Sequence, residues 1–224
     1  MTFLELCKQL AEKASVSGSI ASVAGQTGEQ GRVVNWVREA YESIQAKHDN
    51  WRFLRREVEF PVAAGTAVYT PMAAGVTDFG EWLLEDWRAY RPAAGIGNEM
   101  PICTMSYDAF RATYGYGNQR TQVGWPQVAT SQPDDALKFW PIPDDDYTIV
   151  GQYYRAPHVF VSNADVPLFA ARFHMAIVYR ALMLYAEYES DGNLFASAQL
   201  EAGRLIGKME EVYLPDFTVG EPLA

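Results

Sequence analysis

Three histidines, two cysteines and a scatter of carboxylates are the residues of this 224-residue chain whose types could do chemistry. His48 closes a helical stripe, His158 follows Pro157, and His174 falls on the most apolar helical stretch. None forms an HExxH or HxH pattern or pairs with a cysteine, so a transition metal finds no ligand set, and His174 reads as a satisfied or interface histidine. Asp144-Asp145-Asp146 could offer oxygens to Ca²⁺ or Mg²⁺, but it lacks the alternating spacing of a cation loop and follows Pro143. It reads as a solvated turn, as does Asp134-Asp135. Glu81, Glu85, Asp86 and Asp108 lie near Trp82 and Trp87 and could supply a glycosidase-like carboxylate pair, yet nothing selects one pair over another. Gly115-Tyr116-Gly117 lacks the helix and further glycine of a dinucleotide loop, and no GxxxxGK[ST] motif or serine elbow occurs. The reading is therefore of a chain without catalytic residues, cofactor or metal.

One cluster mixes cations with rings: Trp51, Arg52, Phe53, Arg55 and Arg56. Stacking plus positive charge is what single-stranded nucleic acid requires. Glu57 and Glu59 follow at once, which favours a protein interface or an internal salt-bridge network. The whole-chain balance points the same way. Against 18 Lys and Arg stand 28 Asp and Glu, a net charge of −10, the opposite of a phosphate-gripping surface.

The elements that would position these residues follow from periodicity. Thr2 and Glu5 make a capping box ahead of Phe3, Leu6, Leu10 and Ala14 at helical spacing. Thr27 and Gln30 offer a second box before the stripe Val33, Val37, Tyr41, Ile44 and His48, with Asp49-Asn50 as its close. From Trp51 the period drops to about two. Strands are expected over Arg56–Phe60, Ala67–Thr70, Trp82–Tyr90, Met100–Met105, Gln127–Thr130, Ala136–Trp140 and Thr148–Arg155, with one short helix after Ser106 and an exposed loop over Gly115–Gly124. Beyond Pro167 a helix apolar round much of its circumference runs to Asp191-Gly192-Asn193, and a last one carries Gly203 and Gly207, whose spacing would let another backbone approach closely. The fold class is α+β. Two N-terminal and two C-terminal helices form a four-helix bundle (1–50 with 165–214), a central antiparallel β excursion spans 51–164, and 215–224 is a tail.

Cys7 and Cys103 have no CxxC partner and read as two buried thiols in a reducing compartment. No apolar leader follows Met1, and the longest apolar stretch, Phe169–Leu184, is broken by Arg172, His174 and Arg180, so no membrane partner is expected. Aromatic residues make up 13% of the chain, more than one core needs, which points to interfaces.

Several stretches in order resemble the adaptor (head-to-tail connector) proteins of tailed bacteriophages. They are Met1–Cys7 through Ser17-Gly18; Gln26–Glu29 leading to Val34-Asn35-Trp36-Val37; Trp51–Leu54 into a strand ending Phe60-Pro61; Phe139–Pro143; Tyr153-Tyr154-Arg155; and Ile177–Glu189. The resemblance spans roughly residues 1–190. It implies a dodecameric ring below the portal that extends the DNA channel and joins capsid to tail, assembled in the host cytoplasm and residing in the virion neck. Its partners would be itself, the portal protein, and tail or nozzle proteins, with genomic DNA passing without specific binding. In this family the C-terminal segment reaches a neighbouring subunit or the portal, a role that falls here to Leu214–Ala224. The interface carriers expected are Trp51, Arg52, Arg55, Arg56, Tyr185, Leu214, Pro215, Asp216 and Phe217. The alternative reading, from the tryptophans near carboxylates, is a tail-associated carbohydrate- or peptidoglycan-acting protein.

Overall fold

A computed structural model describes residues 1–215. Helices α1 (Phe3–Lys13) and α2 (Gly28–Gln45) precede strands β1 (Arg55–Val62), β2 (Val68–Tyr69), β3 (Phe79–Tyr90) and β4 (Met100–Thr104). Helix α3 (Tyr107–Tyr114) follows, then β5 (Val123–Gly124), β6 (Val128–Ser131), β7 (Leu137–Trp140), β8 (Ile142–Pro143) and β9 (Tyr147–Arg155). Helices α4 (His174–Glu189) and α5 (Gly192–Tyr213) end the described chain. It divides into two compact units, one of Met1–Leu54 with the chain from Pro157, the other Arg55–Ala156. The fold is α+β.

In the helical unit, α1 starts as its sequence dictates: the Thr2 hydroxyl accepts from Glu5 N, and the Glu5 carboxylate accepts from Thr2 N at 2.9 Å. The second capping box does not form. Thr27 is the N-cap of α2, but its side chain bonds no backbone N–H. Helix α2 also stops at Gln45, before the expected Asp49-Asn50. Helix α4 packs against α1, α2 and α5, and its Ala176, Ile177, Val178, Ala181 and Leu182 are buried. Non-helical chain fills the remaining core. Phe160 stacks between Phe3 (4.7 Å) and Tyr41 (4.1 Å). The buried Gln45 amide clasps His158, donating to its carbonyl and accepting from its N–H, both at 2.9 Å. Asp165 accepts from Val161 N and Ser162 N, which with the Ser162 hydroxyl holds its carboxyl below the usual range.

The sheet unit is larger than an excursion and not purely antiparallel. Seven strands run in the order β1-β9-β3-β4-β6-β7-β2, and β4 pairs with β6 in parallel. Parallel pairing needs a crossover connection, and α3 sits within it. A second, two-stranded parallel pair, β5-β8, involves segments too short to show any period. β3 slips register between Leu83 and Arg88, where Asp86 takes a positive φ of 54°. This irregularity sends Trp87 into a core it shares with Val58, Phe60, Trp82, Phe139, Tyr147 and Ile149.

Candidate interface

Seven of the nine residues expected to carry interfaces lie among the described residues, Trp51, Arg52, Tyr185, Leu214 and Pro215 in the helical unit and Arg55 and Arg56 in the sheet unit. Trp51 is fully buried in the helical unit; its indole N–H donates to Ile44 O and Gln45 O, both at 3.2 Å, closing the end of α2. Its ring stacks on Phe53 at 5.3 Å. Arg52 is exposed in the same unit. Arg55 and Arg56 begin β1 in the sheet unit, both exposed, with Arg55 Nε donating to Gln152. Leu214 is half-buried and caps α5, and Pro215 is exposed. Asp216 and Phe217 lie outside the described residues.

Tyr185 belongs to a surface the sequence reading saw only in part. On α4, Tyr185 and Tyr188 both meet Trp36 of α2 at 5.7 Å, and the Arg32 guanidinium lies 4.6 Å from the Tyr188 ring. Tyr188 is 54% exposed. Burial pushes the Tyr185 hydroxyl pKa up, and Glu189, Glu29 and Asp191 add to it. The signal was present in the spacing of Arg32 with Trp36 and of Tyr185 with Tyr188, each pair about one helical turn apart.

A groove of about 370 Å³ runs between α2, α4 and α5, lined by Lys47, Arg180, Met183, Ala202 and Gly203 among others. The close backbone approach that the spacing of Gly203 and Gly207 permits is not used among the described residues: nothing lies within 4 Å of where a Cβ would sit at either. Beside the groove, Glu210 joins α5 to the end of α2, with Lys47 Nζ at 2.6 Å and His48 Nε2 at 2.8 Å from its carboxylate.

Chemistry is scarce. His174 is buried, with Nε2 3.1 Å from Phe169 O and Nδ1 2.7 Å from the Met1 amine, and desolvation pushes its pKa down. Burial raises the Cys7 thiol to about 12, away from thiolate chemistry. Cys103 is exposed, contrary to the expectation of two buried thiols, because Ile102 takes the inward position of β4. No three-residue His/Cys/Asp/Glu group among the described residues could hold a metal ion. Among the described residues no helix is long and apolar enough to cross a membrane.

The tryptophans that motivated a sugar-binding reading are engaged elsewhere. Trp82 and Trp87 are core residues whose indoles donate to Asp135 O and Leu83 O. Trp140 is stacked by Tyr114 at 3.9 Å, and Trp125 packs edge-on to Tyr147. Asp86 is bound by Arg88.

The model of the SU10 adaptor protein family matches residues 1–216. The chain belongs to that family. The resemblance to phage adaptors read from the ordered motifs is thereby borne out, and membership implies a structural, non-enzymatic role and association with other virion components. No curated protein matches this adaptor-family chain.

Proposed function

We propose that this chain is the head-to-tail adaptor of a tailed phage: a ring of twelvefold symmetry below the portal, extending the DNA channel and joining capsid to tail. The family match over residues 1–216 carries the reading. In it, α1, α2, α4 and α5 serve as a four-helix wall for the ring, and the sheet unit takes the outward or tail-facing contacts. The net charge of −10 supports a channel that genomic DNA passes without adhering. The surface of exposed Arg32 and Tyr188 with half-buried Trp36 and Tyr185, together with Leu214 and Pro215, supplies contacts to a neighbour, the portal, or tail and nozzle proteins. Assembly in the host cytoplasm and residence in the virion neck follow from that role.

Native mass spectrometry and electron microscopy of the protein mixed with its portal test this. A ring seated on the portal is the expected result. A stable monomer that never joins the portal overturns it.

A further inference from the structure

The sheet unit carries a second groove, of about 690 Å³, between α3 with its following turn and the end of the sheet at β7 and β2. Arg111, Arg120 and Lys138 line it, and no carboxylate is among its lining residues. Among the described residues no ion pair within 4.0 Å engages any of these three cations. In a chain with ten more acidic than basic residues, three unneutralised cations around one concavity are an anion-selective surface. The wall is rigid, since Tyr114 stacks on Trp140 and the Trp140 indole donates to Gln119 O at 2.9 Å. Those two rings each cover one face of the other, which reduces the stacking surface left for unstacked bases. Its charge suits an acidic protein segment.

The same unit presents such a segment. The turn joining β6 to β7 exposes Pro133, Asp134 and Asp135, and among the described residues no cation pairs with either carboxylate. The turn is held in shape: Asp135 N donates to Gln132 O at 3.0 Å, Ala136 N to the Asp134 carboxylate at 3.3 Å, and the Trp82 indole to Asp135 O at 2.7 Å. An ordered acidic knob loses little conformational freedom on docking. Among the described residues no ion pair within 4.0 Å joins turn and groove in one chain.

We propose that the groove is the docking site for a second copy of this chain, and that the acidic β6–β7 turn of that copy enters it. A cationic groove is not its own complement, so each contact pairs two different surfaces, and repeated head-to-tail, as the ring reading requires, such a contact closes a ring. This rests on the self-assembling adaptor reading and names the surfaces that would join neighbours.

Charge reversal tests it in the full chain. The groove variant carries Arg111→Glu, Arg120→Glu and Lys138→Glu. The turn variant carries Asp134→Lys and Asp135→Asn, because Asn tolerates the positive φ of 63° at position 135. Each variant alone should self-associate at least ~10-fold more weakly than wild type by analytical ultracentrifugation, with unchanged circular dichroism. Mixing the two restores both complementary contacts, so association should return with alternating copies, resolved by native mass spectrometry of one isotope-labelled variant. Wild-type association by either variant alone, failure of the mixture, or a monomeric wild type at every concentration overturns the proposal. So does binding of short duplex DNA that the groove substitutions abolish. If the groove variant still builds portal-docked rings, this inference falls while the adaptor reading stands.

Discussion

Replacing Gly151 with alanine is the most demanding test of the sheet unit's packing. Gly151 lies in β9 opposite Val58 of β1, and a Cβ there would fall 2.5 Å from Cδ2 and Cε3 of Trp87 and 2.6 Å from Cε2. Those separations are about 1 Å inside ordinary carbon contact. The indole cannot step aside easily. Trp87 is fully buried, packs edge-on to Trp82 at 5.6 Å and donates to Leu83 O at 2.6 Å. Overpacking a core typically costs about 1–3 kcal/mol, and a rigid ring met on three atoms argues for ~3 kcal/mol. If the sheet unit of about 100 residues melts by itself, Tm falls by roughly 12–24 °C. Thermal melts followed by circular dichroism and tryptophan fluorescence read this directly. The coupling is the sharper check. In a Trp87→Leu background, Gly151→Ala should cost less than ~1 kcal/mol, because the flexible leucine can yield. A Gly151→Ala variant melting within ~3 °C of wild type, or strict additivity in the double variant, refutes the packing argument.

Three further outcomes follow from local geometry. Thr2→Ala removes a formed capping box and should cost ~1 kcal/mol in a thermal melt, whereas Thr27→Ala, which removes no side-chain cap bond, should cost only a few tenths. Glu210 accepts from Lys47 and His48, which lowers its pKa from 4.5 in the folded state. Its contribution is therefore present above about pH 4.5 and lost as pH falls through the folded value, so Glu210→Gln should destabilise by ~0.5–1 kcal/mol at pH 6 and by nearly nothing at pH 3, the gap closing in paired melts. Native alkylation at pH 8 followed by peptide mass spectrometry should modify the exposed Cys103 and spare Cys7, whose thiol burial raises to about 12; equal labelling counts against the buried placement.

The parts of the fold legible in the sequence are those set by neighbours a few residues away. Thr2 and Glu5 close a box because both partners lie in one turn, and seven strands were visible as alternating runs. Identical chemistry at Thr27 failed, so the motif permits a cap without enforcing one. Pairing was not legible. The parallel β4–β6 contact depends on a crossover of more than twenty residues, and two-residue strands such as β5 and β8 have no period to read. Strand phase was also ambiguous: Met100, Ile102 and Cys103 are all apolar, so which side of β4 faced the core awaited its partners. Trp51 misled for a related reason. Flanking arginines suggest a surface, but the carbonyls of Ile44 and Gln45 at the end of α2 need a donor, and the indole supplies it inside. The cationic groove was invisible because Arg111, Arg120 and Lys138 come from three separate segments.

The acidity that suits a DNA channel also works against assembly, since each copy of the proposed ring repels its neighbours. Charges on separate copies act mainly across tens of ångströms, while the Debye length is about 8 Å at physiological ionic strength. Salt therefore removes most of the long-range repulsion but weakens a contact pair within 4 Å far less. The two effects have different ranges, so association should strengthen from very low salt to moderate salt before falling as the contact pairs are screened. A chain joined only by apolar patches would instead gain from salt throughout, because screening relieves repulsion and leaves apolar burial intact. The presence of a maximum thus separates a charge-paired joint from an apolar one without any substitution. The acidic turn and the cationic groove are where the sheet unit offers such a pair.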